Sequence, residues 1–577
     1  MLGFAPSRWR LRVSPLWLLL GPVIVIIAGV LVTVFWLSVL KGLPGTAGTY
    51  ATWANYASLY TDPFAFTALR NTIGFAGASV ALALLLGTSI AWLVERTDLP
   101  GKSAVYTLMT LGLLLPNFFL AMGWLFLLHP RIGAINRWLM AGLGLSNPPF
   151  NVLTVWGMGW IEGLGLASLV FVLTAASFRA MDPALEEVAA VHGARFGQTI
   201  RRVFLPLVSP AVLGSALYIF TIAFASFDVP AIIGWSNRLY TFSTFVYAKS
   251  TTAEGLPDYG ATAAMSSLLV VVAILCSWWY GRVIKRANQY QVVTGKGYRP
   301  RLHALGRWRP LAWLWVGGYF AVSKLLPLLL TIWAAGMPFF QPPSLRAVSA
   351  LSLRNFQRIP MDVLGRGAWH TALLMICVPT GALLLSAGFS WAITRWRSRW
   401  RLALDFFAFL PHAVPNIIFG VGALFVALFL LKGFALYGSL ALLAIVYVVV
   451  RLSIGTRLLN GALLQVHHEL EEAAALSGAS GLTTARAVVA PLLWPALLNG
   501  WLWIALETYR ELTLASVLYS PENITLPVVI WSVWTSGNLG VAAALGLVLL
   551  CCLAPLVVLY WTVGRRRAIG GRAAAAA

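Results

Sequence analysis

Glu186 and Glu187 open the segment LEEVAAVHGARFGQTIRRVFLPLVSPAVL, and Glu471 and Glu472 open LEEAAALSGASGLTTARAVVAPLLWPALL. Each pair of acids is followed by small residues, Ala189 and Ala190 or Ala473 and Ala474, and then by a glycine, Gly193 or Gly478. Two adjacent carboxylates before alanines suit recognition by a close-fitting surface rather than bond-making chemistry, because no nucleophile, base or metal-ligand spacing accompanies them. The second segment is the first displaced by 285 positions without a gap. Leu185/Leu470, Gly193/Gly478, Arg201/Arg486, Pro206/Pro491 and Pro210/Pro495 are among the identities. A match of that length marks an internal duplication.

These residues need a short helix to carry them. Acids favour the positive end of a helix, and Asp182 with Pro183 fits an N-cap followed by a first helical residue. Gly193 and Gly478 stand where a helix stops on a left-handed residue. A basic amphipathic stretch then leads through Pro206 or Pro491 into an apolar run.

This pattern resembles the cytoplasmic coupling loop, the EAA loop, of ABC importer permeases, E-A-A-x-x-x-G followed by a distal L-P. Here it reads Glu187-Val188-Ala189, Gly193 and Leu205-Pro206, and again Glu472-Ala473-Ala474, Gly478 and Ala490-Pro491. Val188 replaces the first alanine of one copy and Ala490 the leucine of the other. The resemblance implies that Glu186, Glu187, Ala189, Ala190, Gly193 and Pro206, with Glu471, Glu472, Ala473, Ala474, Gly478 and Pro491, meet two ATP-binding subunits. It also implies a periplasmic or surface solute-binding protein as a further partner.

Composition points to a bilayer. Of 577 residues 59% are hydrophobic and 10% charged, with a mean hydropathy of +0.81, which is not a soluble composition. The net charge of +23 lies mostly in short loops between apolar runs, as expected when positive loops stay inside; no nucleic-acid partner is implied. Runs of about 20 apolar residues span a membrane. They predict an all-α integral membrane protein of about 12 transmembrane helices in two parallel six-helix repeats. The spans run near 16–40, 68–94, 105–128, 155–177, 204–227 and 261–284, then 311–337, 368–393, 402–431, 436–452, 492–514 and 541–561. Both termini are expected on the cytoplasmic side of a bacterial inner membrane. Gln341–Gly367 disagrees, an expected outer loop that carries Arg346, Arg354, Arg358 and Arg366.

The expected division is a first permease domain over 1–284 with its loop at 182–206, a basic linker over 285–310, and a second domain over 311–577 with its loop at 467–491. Upstream of the loops the repeat continues at a shift of 299, through Thr72/Thr371, Arg96/Arg395 and Asn117/Asn416. The fall from 299 to 285 puts 14 extra residues in the first half, with Gly133–Asn151 the natural place.

Gly101-Lys102-Ser103 has the tail of a phosphate loop, but position 96 is Arg96 where that motif needs glycine. The ATPase is therefore expected on a partner, and the chain itself is not expected to be an enzyme. Cys276, Cys377, Cys551 and Cys552 read as buried small hydrophobes. His467-His468 reads as a metal ligand pair or a solvated helix start. No catalytic residue, cofactor or resident metal is expected. Pro116-Asn117 and Pro415-Asn416 interrupt two spans. They suit a kinked pore-lining pair or an interhelical hydrogen bond. Glu507 and Arg510 can pair on one helix face, which leaves Asp228 and Glu511, with Asn117 and Asn416, as candidate translocation-path residues.

Phe224–Tyr247 and Arg510–Trp531 are similar to the corresponding stretches of fused ferric-iron permeases, which implies ferric iron as the solute. Thiamine, phosphonate, polyamine and sulfate importers share the coupling pattern and remain alternatives. A secondary transporter would also suit six plus six spans, without an ATPase. A membrane-embedded enzyme would need a polar cluster at one depth.

Overall fold

The computed structural model describes residues 14–42, 44–46, 48–181, 184, 188, 191–193, 196–199, 201–202, 205–251, 257–287, 302–395 and 400–574. Among them ten helices are long and apolar enough to cross a membrane, and two bent helix pairs bring the number to 12 if each counts as one span. The bent pairs fall on the spans expected at 105–128 and 402–431, which Pro116-Asn117 and Pro415-Asn416 interrupt. Lys102–Gly112 and Asn117–Leu128 meet at 97°, and Arg401–Ala413 and Asn416–Leu430 at 101°. Pro116 and Pro415 take extended backbone before each second helix, where their missing N–H costs no helical hydrogen bond.

The chain folds into two compact units that do not follow the sequential division at 284 and 311. One gathers Met1–Trp53, Asp362–Val528 and Cys552–Ala577; the other gathers Ala54–Met361 and Val529–Cys551. The first span of each sequence half thus belongs to the unit built mainly from the other half. The same packing repeats inside each unit. A Cβ on Gly422 would lie 2.6 Å from Val30 of the Ser14–Ser38 helix, and one on Gly123 would lie 2.4 Å from the Pro327 carbonyl oxygen. Gly123 and Gly422 are themselves related by the shift of 299. Lipid tails are as apolar as leucine, so close approach over small residues, rather than hydrophobic burial, holds such helices together.

In the unit containing the first bent pair, Pro63–Arg96 packs along Val155–Arg179. Asp62 Oδ1 accepts from Phe64 N at 2.8 Å with Pro63 at the first helical position. In the other unit, Met361–Thr394 packs along Leu440–Leu463 through Ser386 Oγ to Leu452 O and Ser390 Oγ to Thr456 O, both 3.1 Å. Interhelical bonds of this kind contribute on average about 0.6 kcal/mol each. Local caps repeat too: Thr154 Oγ1 accepts from Gly157 N at 3.0 Å, and Ser439 Oγ from Leu442 N at 3.2 Å.

Other expectations need revision. The span foreseen at 436–452 runs from Leu440 to Leu463, because Arg451 and Arg457 are neutralised inside the helix rather than ending it. Arg457 pairs with Asp405 at 3.1 Å. Met361–Gly367, assigned to the arginine-bearing loop, forms the start of Met361–Thr394, and buried Asn355 donates to Ala335 O at 2.9 Å to hold the rest. Cys377, Cys551 and Cys552 are exposed and Cys276 is half-buried; on a span the outward face is as apolar as the interior. The segment proposed for the 14 extra residues holds the helix Ala134–Leu143. Its Asn136 donates to Phe150 O at 2.8 Å and accepts from Phe150 N at 3.1 Å. Leu40–Lys41 and Tyr50–Ala51 add a small antiparallel hairpin.

Candidate functional site: the Glu-Ala helices and the bent spans

The second Glu-Ala segment forms the helix His468–Leu476, with His467 at the N-cap. It ends as the spacing predicts. Gly478 has φ +81°, Gly478 N donates to Ala475 O at 3.0 Å, and Ala479 N donates to Ala474 O at 3.0 Å. The two acids do different things. Glu471 is buried and its Oε1 lies 2.8 Å from Arg395 Nε. Arg395 Nη2 also donates to Leu463 O at 3.2 Å and Val466 O at 2.8 Å, so one guanidinium joins the ends of two spans to this helix. Glu472 is exposed and lies 3.1 Å from His468 Nδ1. His467 and His468 are thus a helix start and its side-chain partner, and no group of three or more potential metal ligands occurs among the described residues.

Beside exposed His468, Glu469 and Glu472, the helix and the turn after it present large apolar side chains outward. Leu476 is 90% and Leu482 79% exposed, and Ala473 is exposed while Ala474 is half-buried. Pro491 occupies the first turn of Ala490–Tyr509. In the first copy Glu186, Glu187, Ala189 and Ala190 lie outside the described residues, as do Asp182 and Pro183. Val191, the counterpart of Leu476, is 85% exposed. Gly193 has φ +73°, and Pro206 is the second residue of Leu205–Ala225.

The segments that follow each post-loop span are buried short helices. Phe242–Ser250 starts where Thr72 Oγ1 accepts from Phe242 N at 2.7 Å. Leu526–Thr535 starts where Thr371 Oγ1 accepts from Leu526 N at 3.0 Å. The residue before each threonine holds the incoming chain: Asn71 Nδ2 donates to Tyr240 O at 3.0 Å, and His370 Nδ1 lies 2.9 Å from Ile524 O. These side chains repeat at the shift of 299, so the duplication preserves a hydrogen-bonding scheme as well as helices.

Asn416 and Glu511, predicted separately, come together: Asn416 Nδ2 is 3.5 Å from Glu511 Oε2. Arg451 completes the group. Its Nη2 pairs with Glu511 Oε2, its Nη1 lies 3.7 Å from Glu507 Oε2, and Glu507 also pairs with Arg510. Sequence reasoning found the Glu507–Arg510 pair and missed Arg451, although an arginine in an apolar run signals a buried partner. In the other unit Asn117 packs on Gly165, where a Cβ would lie 2.9 Å from Asn117 Oδ1. Asp228 begins the short helix Asp228–Ile233. It neighbours Glu162, a buried acid that hydrogen-bonds Ser226 and that the apolar pattern around it had hidden.

Where the linker resumes, His303 N donates to Arg96 O at 2.8 Å and Asp98 N to His303 O at 3.1 Å. Asp98 Oδ1 accepts from Leu305 N at 2.8 Å and Oδ2 pairs with Arg309. The Leu305 N–H, together with the Arg309 guanidinium, holds the Asp98 carboxyl below the usual carboxylate range.

The chain is similar to several known proteins. The ferric transport system permease protein FbpB of Actinobacillus pleuropneumoniae is 23% identical over 514 residues, covering 86% of this chain and 70% of that protein. The probable ABC transporter permease protein y4fN of Sinorhizobium fredii is 27% identical over 486 residues, covering 80% and 81%. Among solved structures, a bacterial ABC transporter involved in alginate import matches 47% of this chain and 94% of its own, at 20% identity and a TM-score of 0.38. The model of the family described as binding-protein-dependent transport system inner membrane component matches twice, over residues 83–289 and 385–568, once around each Glu-Ala segment. The chain belongs to that family: it is a multi-pass inner-membrane permease of an ABC importer, with two permease repeats fused in one polypeptide.

Proposed function

We propose that this permease imports ferric iron, and that two ATP-binding subunits hold the segments 182–206 and 467–491. The observation that carries the coupling role is the division of labour at His468–Leu476. Glu471 is fixed inward by Arg395, while Leu476 and Leu482 face outward, as suits a helix anchored on one side and docked on the other. Both termini and the linker then lie on the ATPase side, and ATP hydrolysis belongs to the partners. Asn117 and Asp228 in one unit, and Asn416 and Glu511 in the other, are the residues we assign to the solute route. ATP-driven closure alters the contacts of the Glu-Ala helices, so each partner contact favours a different state.

The iron assignment rests on the ferric permeases that match most of the chain. It is tested by uptake in cells lacking this chain, with labelled ferric iron beside thiamine and a phosphonate. Loss of iron uptake alone, restored by the intact gene but not by Gly478→Asp, supports both solute and coupling. Loss of another solute with normal iron uptake discards iron and keeps the importer.

A further inference from the structure

An apolar groove of about 700 Å³ lies within one unit, against the Pro63–Arg96 and Arg309–Phe320 helices. Leu82, Leu93, Leu311, Trp315 and Gly318 are among its walls. It opens outward, since Leu311 is 55% exposed, and in a bilayer the medium at such a face is acyl chain. From Leu82 to Leu93 the helix rises about 16 Å at ~1.5 Å per residue. That is close to half of the roughly 30 Å hydrocarbon core, the depth of one leaflet. The two ends of the groove differ. Toward Leu82 the helix carries no charged residue back as far as Arg70, whereas beyond Leu93 come Glu95, Arg96 and Asp98. At that same end Trp308 lines the groove, and exposed Arg307 places its guanidinium 5.6 Å from the Trp308 ring centroid. Arg309 is engaged by Asp98.

We propose that this groove is a binding site for one anionic phospholipid of the leaflet on the linker side, its acyl chain along Leu82–Leu93 and its phosphate at Arg307. An apolar slot one leaflet deep, closed at the polar boundary by a tryptophan and an arginine, matches that amphiphile in length, polarity and charge. Tryptophan sits by preference at headgroup level, and basic pockets between spans take anionic headgroups. The inference is independent of which solute the permease carries.

Gly318 provides the test, because a Cβ added there meets nothing within 4 Å and Gly318→Phe therefore fills the groove rather than clashing with it. The full-length chain, delipidated and supplied with either phosphatidylglycerol or phosphatidylcholine of the same acyl chains, is examined by native mass spectrometry. The wild type is expected to retain one phosphatidylglycerol that Gly318→Phe lacks. Arg307→Glu is expected to lower the preference for phosphatidylglycerol over phosphatidylcholine at least about fivefold, on the scale of one basic side chain near a membrane surface. Size-exclusion elution confirms that each variant is folded. Equal retention by wild type and Gly318→Phe would overturn the site. Equal binding of the two lipids by the wild type would overturn the headgroup assignment. A change of oligomeric state in Gly318→Phe, without lipid loss, would give the groove to a second copy of the chain.

Discussion

Arg395 Nε lies 2.8 Å from Glu471 Oε1, with the two side chains only 12% and 5% exposed. The pair joins the residue that follows Met361–Thr394 to the short helix His468–Leu476, and thus ties that helix to the end of the span.

Removing one member of a buried ion pair leaves the other uncompensated, at a cost of about 3–5 kcal/mol. Arg395→Ala and Glu471→Gln are each expected to reduce transport at least tenfold in proteoliposomes with the ATP-binding subunits. Glu472→Gln, at an exposed carboxylate, should cost less than threefold. If Glu472→Gln proved the more damaging change, Glu471 would not be the anchoring acid.

Thr371 and Thr72 each accept a hydrogen bond from the first residue of a buried short helix. Thr371→Val removes the acceptor and strands Leu526 N–H, a loss of about 1–3 kcal/mol, whereas Thr371→Ser keeps it. Thermal unfolding in detergent should show a drop of several degrees for the valine variant and little change for serine. Thr72→Val should behave alike; unequal effects would mean that the repeat conserves geometry without conserving its energetics.

Arg451 faces both Glu507 and Glu511 from within an apolar helix. Arg451→Ala is expected to lower stability by about 3–5 kcal/mol, read as reduced yield and melting temperature. Adding Glu507→Gln and Glu511→Gln to that variant should recover part of the loss. No recovery would show that packing of the arginine stem, not charge, sets the cost.

Asp98 has a folded pKa below its unfolded value of about 3.9. Its contribution is thus fully present above that unfolded value and is lost as pH falls through the lower folded one. The pair with Arg309 is partly exposed and screened by salt, so the effect is small and local. Limited proteolysis near residues 302–309 should be faster for Asp98→Asn than for wild type at pH 7, and the difference should shrink as the pH falls below about 4. A difference independent of pH would assign the tie to the backbone bonds alone.

Much of this architecture was legible without coordinates. The duplication, the places of most spans, the glycines that end the Glu-Ala helices and the Glu507–Arg510 pair follow from identity at fixed shifts, apolar run length and local backbone preference. Each is a property of residues near one another in the chain. Arg451 is not legible as a paired charge because its partners lie 56 and 60 positions away, and Glu471 looks like its exposed neighbour because Arg395 is distant in sequence.

By itself, then, the sequence determined a membrane-spanning, duplicated permease with a Glu-Ala segment in each repeat, since hydrophobic length and repetition are one-dimensional quantities. Tertiary structure alone decided that Pro116 and Pro415 turn their spans by 97° and 101°, that each half's first span packs in the other unit, and which acids are neutralised. A proline permits a bend without fixing its angle, and a buried charge is tolerated only where the fold brings a partner to it.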